Sequence, residues 1–291
     1  MSNLVAIASE GLSAEIDPHG AQLHALRDGE ERDLLWDGDP AVWTGRAPIL
    51  FPIVGMLNGG QYRLDGATFH MGKHGFARHK TFAVTESGPG HALFTLVEDA
   101  ETLAVWPFRF RLDLRFEVAG AGLTMTATVG NPGDRPLPAG FGFHPALRWP
   151  LPYGRPRERH RLTFEQGEPA PIRRIDTRGL LRPDGLPTPV DGRELVLEDG
   201  LFEDDAIIFD RLGSRKLTYG ADQGPRLEIA FPDTPWLGVW TKPGAGYICV
   251  EPWHGIADPE GFHGDFRDKP GVFEVAPGES RSFGMSITLR P

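Results

Sequence analysis

Two neighbouring segments in the middle of the chain alternate apolar and polar side chains with a period of two. Residues 108–118 (FRFRLDLRFEV) place Phe, Leu or Val at every second position, with charged residues between them. Residues 122–129 (GLTMTATV) repeat the alternation with threonines at the polar positions. A period of two predicts β-strands with one face in the core and the other in solvent. The Ala119-Gly-Ala-Gly link between the segments predicts an antiparallel hairpin.

The rest of the chain is divided into short pieces by 37 glycines and 27 prolines. No stretch of a dozen residues free of Pro and Gly has helical apolar spacing, so the fold class is predicted to be all-β, a sandwich or a barrel. No linker interrupts the pattern, and we expect residues 1–291 to form a single domain. Further strands are predicted at 14–16, 22–27, 61–64, 92–97, 226–230, 237–241, 247–250 and 281–289.

Two stretches, 150–157 and 168–189, are rich in Pro, Gly and Arg and are predicted to be long loops on one edge. Loops of that length in a compact domain tend to be functional or to cover something.

Composition excludes several classes of protein. The chain is 40% hydrophobic and 24% charged, as is typical of a soluble globular protein, and its net charge of −10 argues against a nucleic-acid partner. A local basic pocket for one phosphate group remains compatible with that charge. The N-terminal residues lack the pattern of a signal peptide, and no run has the roughly 18 apolar residues of a membrane helix. We therefore expect a cytoplasmic protein with no membrane partner. The single cysteine, Cys249, allows no intrachain disulfide and is expected to be a small core residue.

Two histidines and one glutamate stand out as chemical groups. His74 lies in GKHGFAR (72–78), His144 in AGFGFHPAL (139–147), and Glu251 in YICVEPW (247–253). Each histidine taken alone is compatible with a structural hydrogen-bonding role, and Glu251 with an exposed strand end. A glutamate next to a core strand is costly to bury unless it is hydrogen-bonded or functional. Together the three residues suit general acid–base chemistry without a cofactor.

The neighbours of these residues carry weaker signals. We expect Pro252 to end the strand that carries Glu251. Trp253 is either a plain core aromatic or a flat platform for a sugar ring. Asp204 and Asp205 precede an apolar run, where acidic residues either solvate a loop or bond a histidine or sugar hydroxyls.

The chain lacks the common cofactor motifs. It has no Walker loop, no dinucleotide fingerprint after a strand and no Gly-x-Ser-x-Gly elbow. His70 and His74 are four residues apart, but in strand and turn such a spacing does not converge on a metal as it does on a helix. We therefore predict neither a metal nor a cofactor.

Seven short motifs, in order along almost the whole chain, resemble the aldose 1-epimerase (mutarotase) family, and in detail its LacX-type branch. They are IDPHGAQL (16–23), Trp36 followed by PAVW (40–43), APILFPIVG (47–55), HGFAR (74–78), GFHPA (142–146), EPWHGIAD (251–258) and APGES (276–280). The resemblance implies a large antiparallel β-supersandwich of the galactose mutarotase type, with a sugar site on a broad concave face.

The resemblance also implies roles for individual residues. His144 matches the family's general acid and Glu251 its general base. His74 matches the histidine that binds sugar and supports charge at the ring oxygen. The substrate-binding aspartate falls at Asp204 or Asp205, and Asp204 is favoured because the apolar strand begins just after the pair.

One position departs from the family pattern. Many relatives have an arginine directly after Phe-Pro-Ile-Val-Gly, whereas this chain has Met56. Arg46 and Arg78 are the nearby arginines expected to contact substrate instead, and the departure bears on sugar preference more than on chemistry.

The predicted function is interconversion of the α and β anomers of a small-molecule sugar by acid–base ring opening. Three alternatives stay open: a non-catalytic sugar-binding or sugar-sensing protein on the same fold, a glycoside hydrolase, and a hexose-6-phosphate mutarotase. The sequence leaves the identity of the sugar and a homodimeric state open.

Overall fold

The computed structural model describes residues 4–291, which are organised almost entirely as β-strands. In chain order the strands are β1 (Val5–Ala8), β2 (Leu12–Asp17), β3 (Gln22–Asp28), β4 (Gln61–Leu64), β5 (Ala67–His70), β6 (Ala83–Gly88), β7 (His91–Val97), β8 (Arg111–Ala119), β9 (Gly122–Gly130), β10 (Leu137–Ala139), β11 (Phe141–Gly142), β12 (Ala146–Arg148), β13 (His160–Phe164), β14 (Glu194–Val196), β15 (Ile207–Phe209), β16 (Lys216–Ala221), β17 (Arg226–Ala230), β18 (Trp236–Trp240), β19 (Tyr247–His254), β20 (Phe273–Val275) and β21 (Ser280–Arg290). The described part has one α-helix, α1 (Ala100–Val105), and 3-10 turns at Asn58–Gly60, Ala77–His79, Arg157–Arg159, Asp199–Phe202 and Phe266–Asp268.

The largest sheet has nine strands in the order β14-β13-β16-β17-β21-β9-β8-β7-β6. The predicted hairpin β8–β9 lies within it, and the apolar positions of both strands are buried as the alternation requires. Strand β8 begins at Arg111 rather than at Phe108. The backbone N–H of Phe110 is bonded to the Glu98 carboxylate at 3.2 Å, outside the strand ladder.

A smaller sheet carries the chemically interesting segments. Its order is β11-β19-β18-β15, and β12 also pairs with β19. A three-stranded sheet, β1-β2-β3, and the two-stranded pairs β4–β5 and β10–β20 complete the fold. All pairings between these strands of residues 4–291 are antiparallel. The prediction of an all-β antiparallel supersandwich is confirmed.

The hydrophobic core joins the sheets. One cluster of buried side chains runs from Ile7 on β1 to Ile287 on β21 and takes residues from every sheet between them. Because both ends of the described chain contribute to the same core, we propose that the chain forms one domain.

The predicted strands 61–64 and 226–230 match β4 and β17, but the prediction for β19 was wrong at its end. Strand β19 continues through Pro252 to His254. Proline lacks only the N–H, and the Pro252 carbonyl still accepts the backbone N–H of Phe143 at 3.1 Å. The ladder therefore passes through the proline and places both Glu251 and Trp253 inside a strand.

The two predicted long loops contact different parts of the sheet of β19. Within 168–189, Arg173 pairs with Ile208 of β15, and the Leu181 N–H donates to the Asp258 carbonyl at 2.8 Å. The 150–157 loop contacts the turn that precedes β19, where Arg157 donates to the Ala245 carbonyl at 2.5 Å and lies 3.4 Å over the Trp149 ring. The first loop is therefore the one positioned to cover a site.

A buried ion pair fixes the segment after β19. Lys269 Nζ lies 2.7 Å from Asp258 Oδ1, with only 2% and 4% of the two side chains exposed. Asp258 Oδ2 also accepts the Asn58 N–H at 2.8 Å. Burial lowers the pKa of Lys269, and the Asp258 carboxylate opposes that shift.

We expect Lys269→Met to lower the free energy of unfolding by about 3–5 kcal/mol, because it leaves the Asp258 carboxylate buried without its counter-ion. Urea unfolding measures the effect. The matched control Lys242→Met removes an exposed lysine and should change stability by less than about 0.5 kcal/mol. The double variant Asp258→Asn, Lys269→Met should recover part of the loss. Equal stabilities for Lys269→Met and Lys242→Met would contradict this explanation.

Candidate functional site

A cavity of about 250 Å³ opens over the face of β19 that carries Glu251 and Trp253. Its polar lining consists of Lys73, His74, Arg78, His144, Asp205 and Glu251. Its apolar walls include Trp43, Trp240, Trp253 and the tip of the 168–189 loop at Ile175 and Gly179. All three residues predicted for acid–base chemistry therefore line one cavity.

The register of β11 and β12 on β19 brings His144 to Glu251. Gly142 pairs with Trp253 and Ala146 pairs with Cys249, so continuing the register between them puts His144 opposite Glu251. His144 Nε2 lies 3.2 Å from Glu251 Oε2. Both residues are buried, with 7% and 2% of their surfaces exposed. Directly opposed residues on antiparallel strands have adjacent side chains, so the backbone itself specifies this contact.

Burial controls the protonation of the pair. It raises the pKa of Glu251 to about 8; Lys73 opposes this shift and Asp205 adds to it. It lowers the pKa of His144 to about 3, with Lys73 and Arg78 acting in the same direction. Two groups this close titrate as a unit. The opposite pKa shifts favour a state in which the pair holds one proton. A pair that acts as both acid and base needs one proton to donate and one site to accept another.

His74 is held in a strained turn that aims its ring at the pair. Its φ is +67°, and Gly75 follows at φ +75°, where a Cβ would overlap the Phe51 carbonyl. The Gly55 N–H donates to His74 Nδ1 at 3.0 Å, so a neutral ring carries its proton on Nε2. Burial is the main cause that lowers the pKa of His74 well below its usual value, and His144 adds to the effect. His74 is therefore a neutral hydrogen-bond donor.

Trp253 lies flat across two glycines on the strands beside β19. A Cβ on Gly142 would lie 2.6 Å from Trp253 Cδ1, and a Cβ on Gly238 would overlap the far end of the indole. Because Gly142 and Gly238 have no side chains, the indole of Trp253 can lie on the sheet beside Glu251. This position allows the platform role that the sequence left open.

The structure reverses the expectation for the aspartate pair. Asp205, at φ +65°, lines the cavity, whereas Asp204 lines only an outer recess of about 590 Å³ that adjoins it. The structure therefore places Asp205, and not the favoured Asp204, in the lining of the cavity. Buried Arg174 fixes the turn by donating to the carbonyls of Asp205 at 2.5 Å and Leu201 at 2.6 Å. A left-handed residue two positions before β15 changes the direction of its side chain, which an apolar pattern does not reveal.

The two arginines that were predicted to contact substrate lie in different places. Arg78 lines the cavity and donates to the Lys73 carbonyl at 2.9 Å. Arg46 does not line it, and its guanidinium donates to the His24 carbonyl at 2.7 Å. The structure therefore places Arg46 outside the cavity, contrary to the expected position, because its side chain joins the 46–47 segment to β3. Met56 lies on the outer recess, against Gly179.

Sequence reasoning missed three polar or aromatic members of the cavity. Lys73 directly precedes His74, and its charge acts on the pKa values of His74, His144 and Glu251. Trp43 lies in a motif that carried the family resemblance, but no role was assigned to it. Trp240 lies within the predicted strand 237–241, and a period of two alone does not distinguish a cavity wall from a core face.

One group of side chains has metal-ligand character. The ligand atoms of His144, Cys249 and Glu251 lie within 4.8 Å of one another. A metal there would have to displace the His144–Glu251 contact and ionise a thiol whose pKa is raised by burial. Cys249 also lies outside the lining of the cavity. The donor set therefore fits an acid–base pair better than a metal centre.

The whole chain matches known proteins in sequence and in structure. Residues 3–288 match the family model described as aldose 1-epimerase. The chain belongs to the aldose 1-epimerase family. It is 31% identical over 295 residues to the chromosomal protein LacX of Lactococcus lactis subsp. lactis, covering 98% of this chain and 99% of that protein.

Two solved structures are similar at 28% identity. One is a galactose mutarotase-like protein from Lactobacillus casei, with a TM-score of 0.92 and coverage of 99% of this chain and 100% of that one. The other is a galactose mutarotase related enzyme from Lactobacillus acidophilus, with a TM-score of 0.90 and coverage of 99% and 97%. Family membership supports a general mutarotase role. Within residues 4–291, none of the helices combines the length and apolar character needed to cross a bilayer.

The two adjacent aspartates offer a matched test. We expect Asp205→Asn to weaken sugar binding about 10- to 100-fold, because a charged acceptor for sugar hydroxyls is lost. Asp204→Asn removes the same charge from the outer recess and should bind as the wild type does. Calorimetric titration with a hexose measures both. A larger loss in the Asp204 variant would contradict the assignment.

Proposed function

We propose that this protein is an aldose 1-epimerase that interconverts the α and β anomers of a hexose. The observation that carries the proposal is the buried His144–Glu251 contact of 3.2 Å, inside a cavity that also presents His74, Asp205 and Trp253. An acid and a base that share one proton can remove a proton at one atom of the substrate and deliver one at another.

The reaction proceeds by ring opening. Glu251, as carboxylate, takes the proton of the anomeric hydroxyl while His144, as imidazolium, donates a proton to the ring oxygen. The C1–O5 bond breaks to give the open-chain aldehyde. Rotation about C1–C2 presents the other face of the carbonyl, and the ring closes with the proton transfers reversed. The pair contains one proton at the start and one at the end, so no cofactor is needed for the balance.

The remaining groups bind and orient the sugar. His74 Nε2–H is available to donate to a sugar oxygen, because Nδ1 is engaged by Gly55. Asp205 is an acceptor for hydroxyls, and the Trp253 indole offers an apolar face to the C–H side of the ring. Lys73, at the rim, favours the ionised form of Glu251.

The acid–base assignment predicts loss of activity in two variants. Glu251→Gln keeps the side-chain shape but cannot accept a proton, so catalysed mutarotation should be abolished while the fold is retained. His144→Ala should lower kcat by about 10²-fold or more. In the wild type, activity should fall above about pH 8, where the proton that Glu251 retains is lost and the pair can no longer supply an acid.

Polarimetry of freshly dissolved α-anomer measures these rates, with circular dichroism as the control for folding. A Glu251→Gln variant that equilibrates the anomer at the wild-type enzyme rate would show that Glu251 is not the base. A hydrolysis assay on a glycoside, run in parallel, separates the glycosidase alternative. Sugar binding without acceleration would support the sensing alternative.

Free aldoses are proposed as substrates ahead of sugar phosphates. Glu251 and Asp205 place two carboxyl groups at the cavity, Arg46 lies outside its lining, and Arg78 is already bonded to the Lys73 carbonyl. Among the described residues that line the cavity, Lys73 is the only lysine. A dianionic phosphate would therefore meet few cations that are not already engaged.

Neutral hexoses should have a higher kcat/KM than glucose 6-phosphate, with a rate that depends only weakly on salt. Assays with glucose, galactose and glucose 6-phosphate at two ionic strengths provide the measurement. A preference for the phosphate that disappears at high salt or in Arg78→Ala would refute this choice of substrate while leaving the acid–base chemistry intact.

A further inference from the structure

The imidazole of His144 lacks the hydrogen bond that usually orients a catalytic histidine. Its Nε2 faces Glu251, but its Nδ1 is buried with no hydrogen-bond partner among residues 4–291. In many sites that second nitrogen donates to a carbonyl or carboxylate, which fixes both the ring and its tautomer. A small void that borders His144 is lined otherwise by apolar side chains and has no volume open to a water molecule.

Aromatic rings surround the imidazole instead. The Trp43 indole lies with its centroid 5.4 Å from that of His144 and its plane tilted by 34°. Trp240 approaches at 6.1 Å and 79°, and the neutral His74 ring at 5.9 Å and 88°. Trp43 is thus the ring whose plane lies nearest to parallel with the imidazole. An aromatic face within about 6 Å of a cation stabilises it through the ring quadrupole.

Local structure fixes Trp43 in this place. Its carbonyl accepts the Trp36 Nε1–H at 2.9 Å, and its N–H donates to the Asp39 carbonyl at 2.8 Å. Its indole folds back over Gly45, where any Cβ would overlap the ring. Trp240 packs edge-to-face against it at 5.4 Å. These contacts leave the indole little freedom to move away from His144.

We propose that Trp43 is the positioning residue of His144, orienting its ring and stabilising the imidazolium form in place of the absent Nδ1 hydrogen bond. The contact shifts the proton that is shared with Glu251 towards His144. Burial favours the neutral imidazole with a protonated carboxyl, whereas the indole face favours imidazolium with carboxylate. The catalytic role of the imidazolium rests on the proposed function. The effect of Trp43 on the protonation of His144 does not depend on that function.

The other side chains that face the imidazole do not supply this stabilisation. They are Glu251, His74, Lys73 and Arg78, with the thiol of Cys249 within 4.8 Å of the ring nitrogen. Lys73 and Arg78 disfavour a charge on His144, and His74 is neutral. Glu251 stabilises the imidazolium only after it has given up the shared proton. The backbone of His144 itself favours the charged ring, although Nδ1 has no partner with hydrogen-bond geometry, and the indole is the neutral side chain that adds to this effect.

Ring ¹⁵N chemical shifts of His144 test the proposal, with the resonance assigned by comparison with His144→Gln. At pH 7 the ratio of imidazolium to neutral imidazole should fall about two- to thirty-fold in Trp43→Leu, which removes the aromatic face but keeps an apolar side chain. Trp43→Phe should give an intermediate ratio. The control Trp236→Leu removes a half-buried indole that contacts His254, and should leave the ratio unchanged.

Three results would overturn the proposal: a wholly neutral His144 in the wild type, a wild-type ratio in Trp43→Leu, or an equal shift in Trp236→Leu. If Trp43→Leu does not fold, a wild-type ratio in Trp43→Phe counts against it in the same way. The kcat for glucose should fall in parallel with the ratio, and Phe should restore most of it. A wild-type protein that does not accelerate mutarotation would refute the proposed function, while the ratio would still test the role of Trp43.

Discussion

The opposition of His144 and Glu251 across one ladder is the constraint on which the rest of the site depends. Strands β11 and β12 are two short pieces that share a single register on β19. His144 lies in the gap between them, bracketed by bonds from the Phe143 N–H to the Pro252 carbonyl and from the Val250 N–H to the Pro145 carbonyl. A shift of one residue would turn Glu251 to the opposite face of the sheet. The acid–base contact is thus specified by backbone pairing.

That geometry requires side chains to be absent elsewhere. Trp253 can lie over the sheet because Gly142 and Gly238 leave room for it on the two neighbouring strands. Gly75 allows His74 to approach the Phe51 backbone, and Gly45 allows Trp43 to fold back. Many glycines in this chain punctuate strands, but these four shape the cavity. An alanine at any of them would displace a residue that faces the site.

The sequence predicted the positions of the strands better than the contacts between residues that are distant in the chain. Alternation located β4 and β17 to the residue, because one buried face imposes a period of two. The predicted end of β19 was too early. A proline lacks the N–H and usually indicates a strand end, unless the pairing of the neighbouring strand is known. The family resemblance selected His74, His144 and Glu251, and all three line one cavity. It did not distinguish Asp205 from Asp204, since that depends on a left-handed turn held by Arg174 from a distant loop. Arg46 lies beside a matched motif, but its guanidinium bonds the backbone of β3.

The cost of burying a single charge explains why the Glu251 carboxyl and the His144 imidazole are buried together. A buried carboxylate alone, or a buried imidazolium alone, carries a desolvation cost that shifts its pKa until the charge is lost. Held 3.2 Å apart, the two groups can exchange one proton without a change of net charge, so either distribution is accessible in an apolar cavity. Lys73 and Arg78 at the rim disfavour protonation of the histidines, whereas Asp205 favours protonation of Glu251. A neutral polyol entering between them would keep this balance, whereas an anion would add charge beside Glu251 and raise its pKa further.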